Sequence, residues 1–163
     1  MDETSYAIAL GSNRRSRHGS PIATVRAAAQ ALSADRLSRI RSTPALGPAG
    51  RGFANAAAIV RSKLDPPDFL SRLKQIEAEF GRRGGRRWGP RVLDLDMILW
   101  SGGPWEQQGL VVPHPEFRAR SFVVEPLAEL APEWRDPISG ATIRQLLHRL
   151  RSARPVDRRP GPT

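Results

Sequence analysis

Residues 92–100, Val-Leu-Asp-Leu-Asp-Met-Ile-Leu-Trp, constrain the fold more than any other stretch of the chain. Apolar and polar positions alternate there, the two-residue period of a β-strand half buried in a sheet. On this pattern Leu93, Leu95, Met97 and Leu99 point into a core. Asp94 and Asp96 then share the opposite face, with Cα atoms roughly 6.7 Å apart. Aspartate is disfavoured in strands, so a pair of them in an apolar run needs a local reason. A hard divalent cation is one such reason, because magnesium prefers carboxylate oxygen. A salt bridge to Arg87 or Arg91 is another.

The segment before the strand narrows the choice. Residues 81–91 carry Arg82, Arg83, Arg86, Arg87 and Arg91 around Gly84-Gly85. Arginine presents a planar fork that grips phosphate oxygens, and glycine removes steric limits on the backbone. A solvated basic loop has the same composition. Two carboxylates beside a phosphate-binding loop would, however, repel the phosphates unless cations bridge them. Metal and arginine together are the usual means of stabilising phosphoryl transfer, so the pairing points to a metal-bound polyphosphate.

The rest of the chain supplies the frame. Thr4–Leu10 alternates as a strand and leads into a turn at Gly11-Ser12-Asn13. Ser20-Pro21 reads as an N-cap with proline at the first helical position, and Ile22, Val25, Ala29 and Leu32 mark that helix's inward face. A short strand over 37–42, an irregular loop over 43–52 and a strand over 53–60 follow. Asp65-Pro66 opens a second helix whose stripe is Phe69, Leu73, Ile76 and Phe80. The order strand, helix, strand, strand, helix, strand predicts an α+β fold with a ferredoxin-like antiparallel sheet. Additional C-terminal elements extend it: a strand around 109–112, a helix around 120–130, and a helix opened by the Thr142/Gln145 capping box.

Bulk properties bound the function classes. The length of 163 residues suits one domain, expected over 1–150, with 151–163 as a disordered basic tail holding four arginines and three prolines. Without cysteine there is neither a disulfide nor a thiolate metal site. No apolar run reaches membrane-spanning length, and the first strand starts too early to leave room for a signal peptide. A soluble, cytoplasmic, monomeric protein is the expectation. The formal charge of +10 invites a nucleic-acid partner, but the arginines are spread over the whole length, so none is expected.

Phe53 and Asn55 share a strand face beside the long loop. A ring and an amide presented together suit a flat heterocycle, although a lone phenylalanine in a strand also reads as a core residue. His114 lies between Pro113 and Pro115, a stiff position that fits a site or a packing role equally. His18 and His148 fall in a polar loop and on a helix surface.

Together these landmarks resemble the 6-hydroxymethyl-7,8-dihydropterin pyrophosphokinase family. The residues that carry the likeness are Ala9-Leu10-Gly11-Ser12-Asn13, Ser42-Thr43-Pro44-Ala45-Leu46-Gly47, Phe53-Ala54-Asn55-Ala56-Ala57, residues 87–96, Val112-Pro113-His114-Pro115 and Arg120-Ser121-Phe122. The resemblance implies transfer of pyrophosphate from ATP to the pterin's hydroxymethyl group, releasing AMP. It implies that Asp94 and Asp96 hold two magnesium ions, and that Arg82 and Arg91 stabilise the transferring group. It places Glu77, Arg82, Arg87, Trp88, Arg91, His114 and Arg120 around ATP. Thr43, Leu46, Phe53, Asn55, Asp94 and Phe122 fall around the pterin, and the loops 43–52 and 81–91 act as lids. Phe53 stands where the family often has tyrosine, Pro115 where an aromatic residue is common, and Lys74 where glutamine is frequent. Two other readings remain: an RNA-binding module on the same sheet, and a pterin-binding homologue that transfers no phosphate.

Overall fold

The computed structural model describes residues 2–43, 52–81 and 92–153. The elements run β1 (Thr4–Ser12), α1 (Pro21–Ala31), β2 (Arg36–Leu37), β3 (Arg41–Thr43), β4 (Phe53–Ser62), α2 (Pro66–Gly81), β5 (Asp94–Trp100), β6 (Trp105–Gln107), β7 (Leu110–Val112), a 3-10 turn (Phe117–Ala119), α3 (Ser121–Leu130) and α4 (Ile143–Ser152). The architecture is α+β, with an antiparallel five-stranded sheet ordered β2-β4-β1-β5 and β3 also paired with β4.

Helix starts follow the local chemistry that the sequence announces. The Ser20 side chain accepts the Ala23 N–H at 3.2 Å, and Asp65 accepts the Asp68 N–H at 3.0 Å, each satisfying an orphan donor of a first turn. At α4 the capping box closes in both directions, Gln145 N–H to Thr142 at 3.1 Å and Thr142 N–H to Gln145 at 2.9 Å. This helix continues through Ser152, beyond the 150/151 boundary expected for the tail. Residues 154–163 lie outside the described residues.

Three expectations need adjustment. The single strand over 37–42 is two pieces, because the Ser38 hydroxyl accepts the Ala57 N–H at 2.9 Å where a backbone carbonyl would otherwise continue the ladder. The strand expected around 109–112 is β7, which pairs with β6 in a two-stranded sheet of its own. Leu99 does not share the face of Leu95 and Met97. The β1–β5 register shifts between Ile8↔Met97 and Ala7↔Leu99, so both Ile98 and Leu99 join the core on the aspartate side. A bulge resets the alternation for every residue beyond it.

Each sheet face therefore has a distinct cover. Tyr6, Ile8, Leu10, Ala56, Ala58, Leu95 and Met97 pack against α1 and α2, with Phe69, Leu73, Ile76 and Phe80 buried as the helical stripe foresees. On the other face Ala7, Ala57, Ile59, Ile98 and Leu99 pack against Val123, Val124 and Leu127 of α3 and Ile143 and Leu146 of α4. The remainder of this second face, towards Ser12, Phe53 and Asp94, is left open by the described residues.

Candidate active site

The open part of the sheet is built from three neighbouring strands in fixed register. Asn55, Gly11 and Asp94 form one cross-strand row, and Ala57, Ala9 and Asp96 form the next. Cross-strand partners project to the same side, so the amide and both carboxylates share a face. The central strand contributes only Gly11 and Ala9 between them. A Cβ at position 11 would stand 3.1 Å from Asn55 Oδ1 and 3.9 Å from the Ala54 carbonyl. The result is a cavity of about 590 Å³ whose lining includes Phe53, Asn55, Asp94, Asp96, Arg120 and Phe122. That volume falls in the range of roughly 300–1,000 Å³ typical of small-molecule sites.

Two contacts hold the aspartate strand. β5 ends the order of the sheet, so among the described residues its outer edge has no strand partner. Glu77, reaching from α2, accepts the N–H of Leu95, the residue between the two aspartates, at 2.7 Å. Glu77 is largely buried, its side chain 12% exposed, with Lys74 at 3.9 Å. At the start of the strand the buried Ser12 hydroxyl donates to the Val92 carbonyl at 2.7 Å. The carboxylates of Asp94 and Asp96 themselves are exposed to the cavity.

The opposite wall is the segment leading into α3. His114 N–H donates to the carbonyl of the bulge residue Ile98 at 3.0 Å, and its Nδ1 accepts the Glu116 N–H at 3.1 Å. In the neutral imidazole the proton therefore sits on Nε2. Burial pushes the His114 pKa below the usual imidazole value and Arg120 adds to that, while Asp96 opposes it. Arg120 pairs with Glu116 at 2.6 Å and lies 6.0 Å from the Phe122 ring. Phe53 is 49% exposed and Phe122 is 50% exposed, so both rings are surfaces rather than core. This excludes the core reading of Phe53.

The site as described thus brings together Asp94, Asp96, Asn55, Phe53, Phe122 and Arg120. His114 is close enough for Asp96 and Arg120 to bear on its charge. Glu77 stands behind the strand, at its edge. Thr43 ends β3 opposite Phe53. Leu46, Arg82, Arg87, Trp88 and Arg91 lie outside the described residues, as do residues 44–51 and 82–91 of the two expected lids. The sequence reading missed Gly11, taken as the start of a turn; β1 continues through Ser12 and Gly11 is an interior strand residue. An interior glycine marks close approach of a neighbouring group, a signal that was available.

Among the described residues no cluster of three or more His, Cys, Asp or Glu side chains could enclose a metal ion. The donor set still fits magnesium, which commonly takes one or two carboxylates and fills its other positions with water and substrate phosphates.

Comparison with known proteins identifies the family of the chain. The sequence profile of the 7,8-dihydro-6-hydroxymethylpterin-pyrophosphokinase family matches residues 7–132. The chain is 42% identical over 119 residues to the 2-amino-4-hydroxy-6-hydroxymethyldihydropteridine pyrophosphokinase of Synechocystis, covering 73% of this chain but 61% of that relative's length. The enzyme of that name from Bacillus subtilis is 37% identical over 134 residues, covering 80% of this chain and 79% of the relative. A crystal structure of a Plasmodium falciparum HPPK-DHPS triple mutant superposes with a TM-score of 0.74 at 13% identity, covering 96% of this chain and 46% of that one, a likeness of fold. With most of its length matched by the profile, the chain belongs to the 7,8-dihydro-6-hydroxymethylpterin-pyrophosphokinase family.

Proposed function

We propose that this protein transfers pyrophosphate from ATP to the hydroxymethyl group of 6-hydroxymethyl-7,8-dihydropterin, releasing AMP, a step of folate biosynthesis. The observation that carries the reading is the Asn55–Gly11–Asp94 row beside Asp96, opening into one cavity between Phe53 and Phe122. A pterin is a flat heterocycle with donors and acceptors along its edge. The exposed rings of Phe53 and Phe122 offer it stacking surfaces, and the Asn55 amide offers both a donor and an acceptor. Backbone groups of Thr43 and Leu46 complete that subsite in this proposal, and Asp94 reaches the hydroxymethyl end.

The hydroxyl oxygen of the pterin attacks the β-phosphorus of ATP. The bond from that phosphorus to the oxygen bridging to the α-phosphate breaks, AMP leaves with the bridging oxygen, and the hydroxyl proton goes to solvent. Asp94 and Asp96 would hold two magnesium ions, which when bound lower the pKa of the hydroxyl and offset negative charge on the triphosphate. No side chain need then serve as a strong base. Arg120 and the Nε2–H of His114 supply donors for ATP oxygens. Arg82, Arg87, Trp88 and Arg91 are assigned to ATP as well, with Arg82 and Arg91 on the transferring group. Glu77 acts at the nucleotide side by holding the strand between the aspartates. The loops 43–52 and 81–91 exclude water when both substrates are bound.

The same proposal includes a ferredoxin-like core with a C-terminal extension, a monomer, and a cytoplasmic location. Purified protein with Mg²⁺, ATP and the hydroxymethyl pterin should release AMP in proportion to pterin consumed. Release no greater than that of the Asp94→Ala, Asp96→Ala double variant would refute the assignment.

A further inference from the structure

Behind the cavity wall lies a carboxylate that the reaction does not touch. Asp136 is 0% exposed, in the turn between α3 and α4, and four donors converge on it. Arg118 Nε and Nη2 reach its two oxygens at 2.5 Å and 2.8 Å, a two-pronged pairing. The Ser139 hydroxyl adds a bond at 2.7 Å and the Ile138 N–H another at 3.0 Å. The turn is closed by its own backbone, with Asp136 N–H to Ala141 O and Gly140 N–H to Asp136 O, both at 2.8 Å. Burial alone would raise the Asp136 pKa, but the bonds from Arg118, Ser139 and Ile138 outweigh it and hold the carboxyl well below the usual range.

Arg118 occupies the 3-10 turn between His114 and Arg120, and its guanidinium lies 4.9 Å from the ring of Phe117, which is fully buried. The segment 114–122 is a strap across the open end of the sheet. It is tied at one end by His114 N–H to Ile98 O at 3.0 Å, and at the other by Val123 and Val124 N–H to Arg120 O, both at 2.9 Å. Between those ties the turn is closed by its own backbone, Phe117 N–H to His114 O at 3.3 Å, Ala119 N–H to Glu116 O at 3.2 Å and Arg120 N–H to Phe117 O at 3.0 Å, bonds that lie within the strap and do not anchor it to the turn between α3 and α4. A buried apolar ring sets depth but not direction, whereas a bidentate guanidinium–carboxylate pair sets both. Asp136 is buried while the Arg118 side chain stays 29% exposed, so the pair is half-buried and desolvation of the carboxylate offsets part of its attraction.

We propose that Asp136 is a positioning residue for the active site: through its two-pronged pair with Arg118 it orients the 114–122 strap and so holds Arg120, His114 and Phe122 against the Asp94/Asp96 face. Only the kinetic arm of the test rests on the pyrophosphoryl-transfer reading.

The test compares Asp136→Asn, which keeps volume and removes charge, with Leu73→Ala, a buried-core variant on the opposite side of the sheet. Temperatures are chosen at which both remain folded. The clamp requires Asp136→Asn to raise KM for ATP about tenfold while kcat stays within about twofold, with Leu73→Ala unchanged in both. Arg118→Lys, which keeps the charge but loses the fork, should fall between wild type and Asp136→Asn. Hydrogen exchange followed by mass spectrometry supplies an arm that needs no activity. Amides across 114–124 should exchange about tenfold faster in Asp136→Asn and not in Leu73→Ala. Absence of AMP from the wild type would sink the assigned reaction, and the exchange arm would then decide on the clamp. Kinetics and strap exchange in Asp136→Asn matching those of Leu73→Ala would overturn the proposal.

Discussion

At position 11 a side chain would meet Asn55 Oδ1 at 3.1 Å, so the space beside that amide exists because glycine leaves it empty. Gly11→Ala should displace the Asn55 side chain and raise KM for the pterin about tenfold, roughly 1.4 kcal/mol, with KM for ATP nearly unchanged in steady-state assays. Equal effects on both substrates would mean that Asn55 does not define the pterin subsite. The aspartates make a different prediction. Asp94→Asn and Asp96→Asn should each lower kcat by about a thousandfold, as expected when charge stabilisation of the transferring group is lost. Their thermal midpoints should stay close to wild type, because both side chains are exposed. The aspartate pair was legible in the sequence because a two-residue period is a local property. Gly11 was not read correctly, because its meaning depends on Asn55 and Asp94, residues that only strand pairing brings alongside.

Among the elements, α4 shows how a local signal carries into the fold. Thr142→Ala opens the capping box and should cost about 1 kcal/mol in urea unfolding, with little change in catalysis. The Asp136 turn makes a prediction in pH. Its carboxyl has a pKa below the ordinary value of 3.8 in the folded chain, so the folded state binds fewer protons than the unfolded one just below that value. The stabilisation is complete above 3.8 and is lost as pH falls below it towards the folded value. The difference in thermal midpoint between wild type and Asp136→Asn should therefore shrink on going from about pH 6 to about pH 3. A constant difference would mean that the variant acts through its hydrogen bonding rather than through charge. The break between β2 and β3 and the bulge at Ile98 were not legible. Each is set by a partner far away in sequence: Ala57 for Ser38, and β1 for Ile98.

For the whole molecule, one sheet separates structure from chemistry. α1 and α2 pack on one face, and α3 and α4 cover part of the other, so that among the described residues the end that holds the aspartates is open. A ligand bound there stabilises the fold by mass action: Mg²⁺-ATP at a hundred times its Kd should add about 2.7 kcal/mol and raise the thermal midpoint. The same addition to the Asp94→Asn, Asp96→Asn double variant should give little or no rise, and a rise equal to wild type would place the nucleotide elsewhere. The sequence by itself determined most of the element order, most of the buried stripes, the helix caps and the carboxylate pair, because each depends on residues within a turn or two of one another. The tertiary structure decided the Asn55–Gly11–Asp94 row, the face taken by Leu99, the exposure of Phe53 and the Asp136–Arg118 clamp. These follow from strand register and from packing between distant segments, and a shift of one residue in register moves a side chain to the opposite face without changing any local pattern.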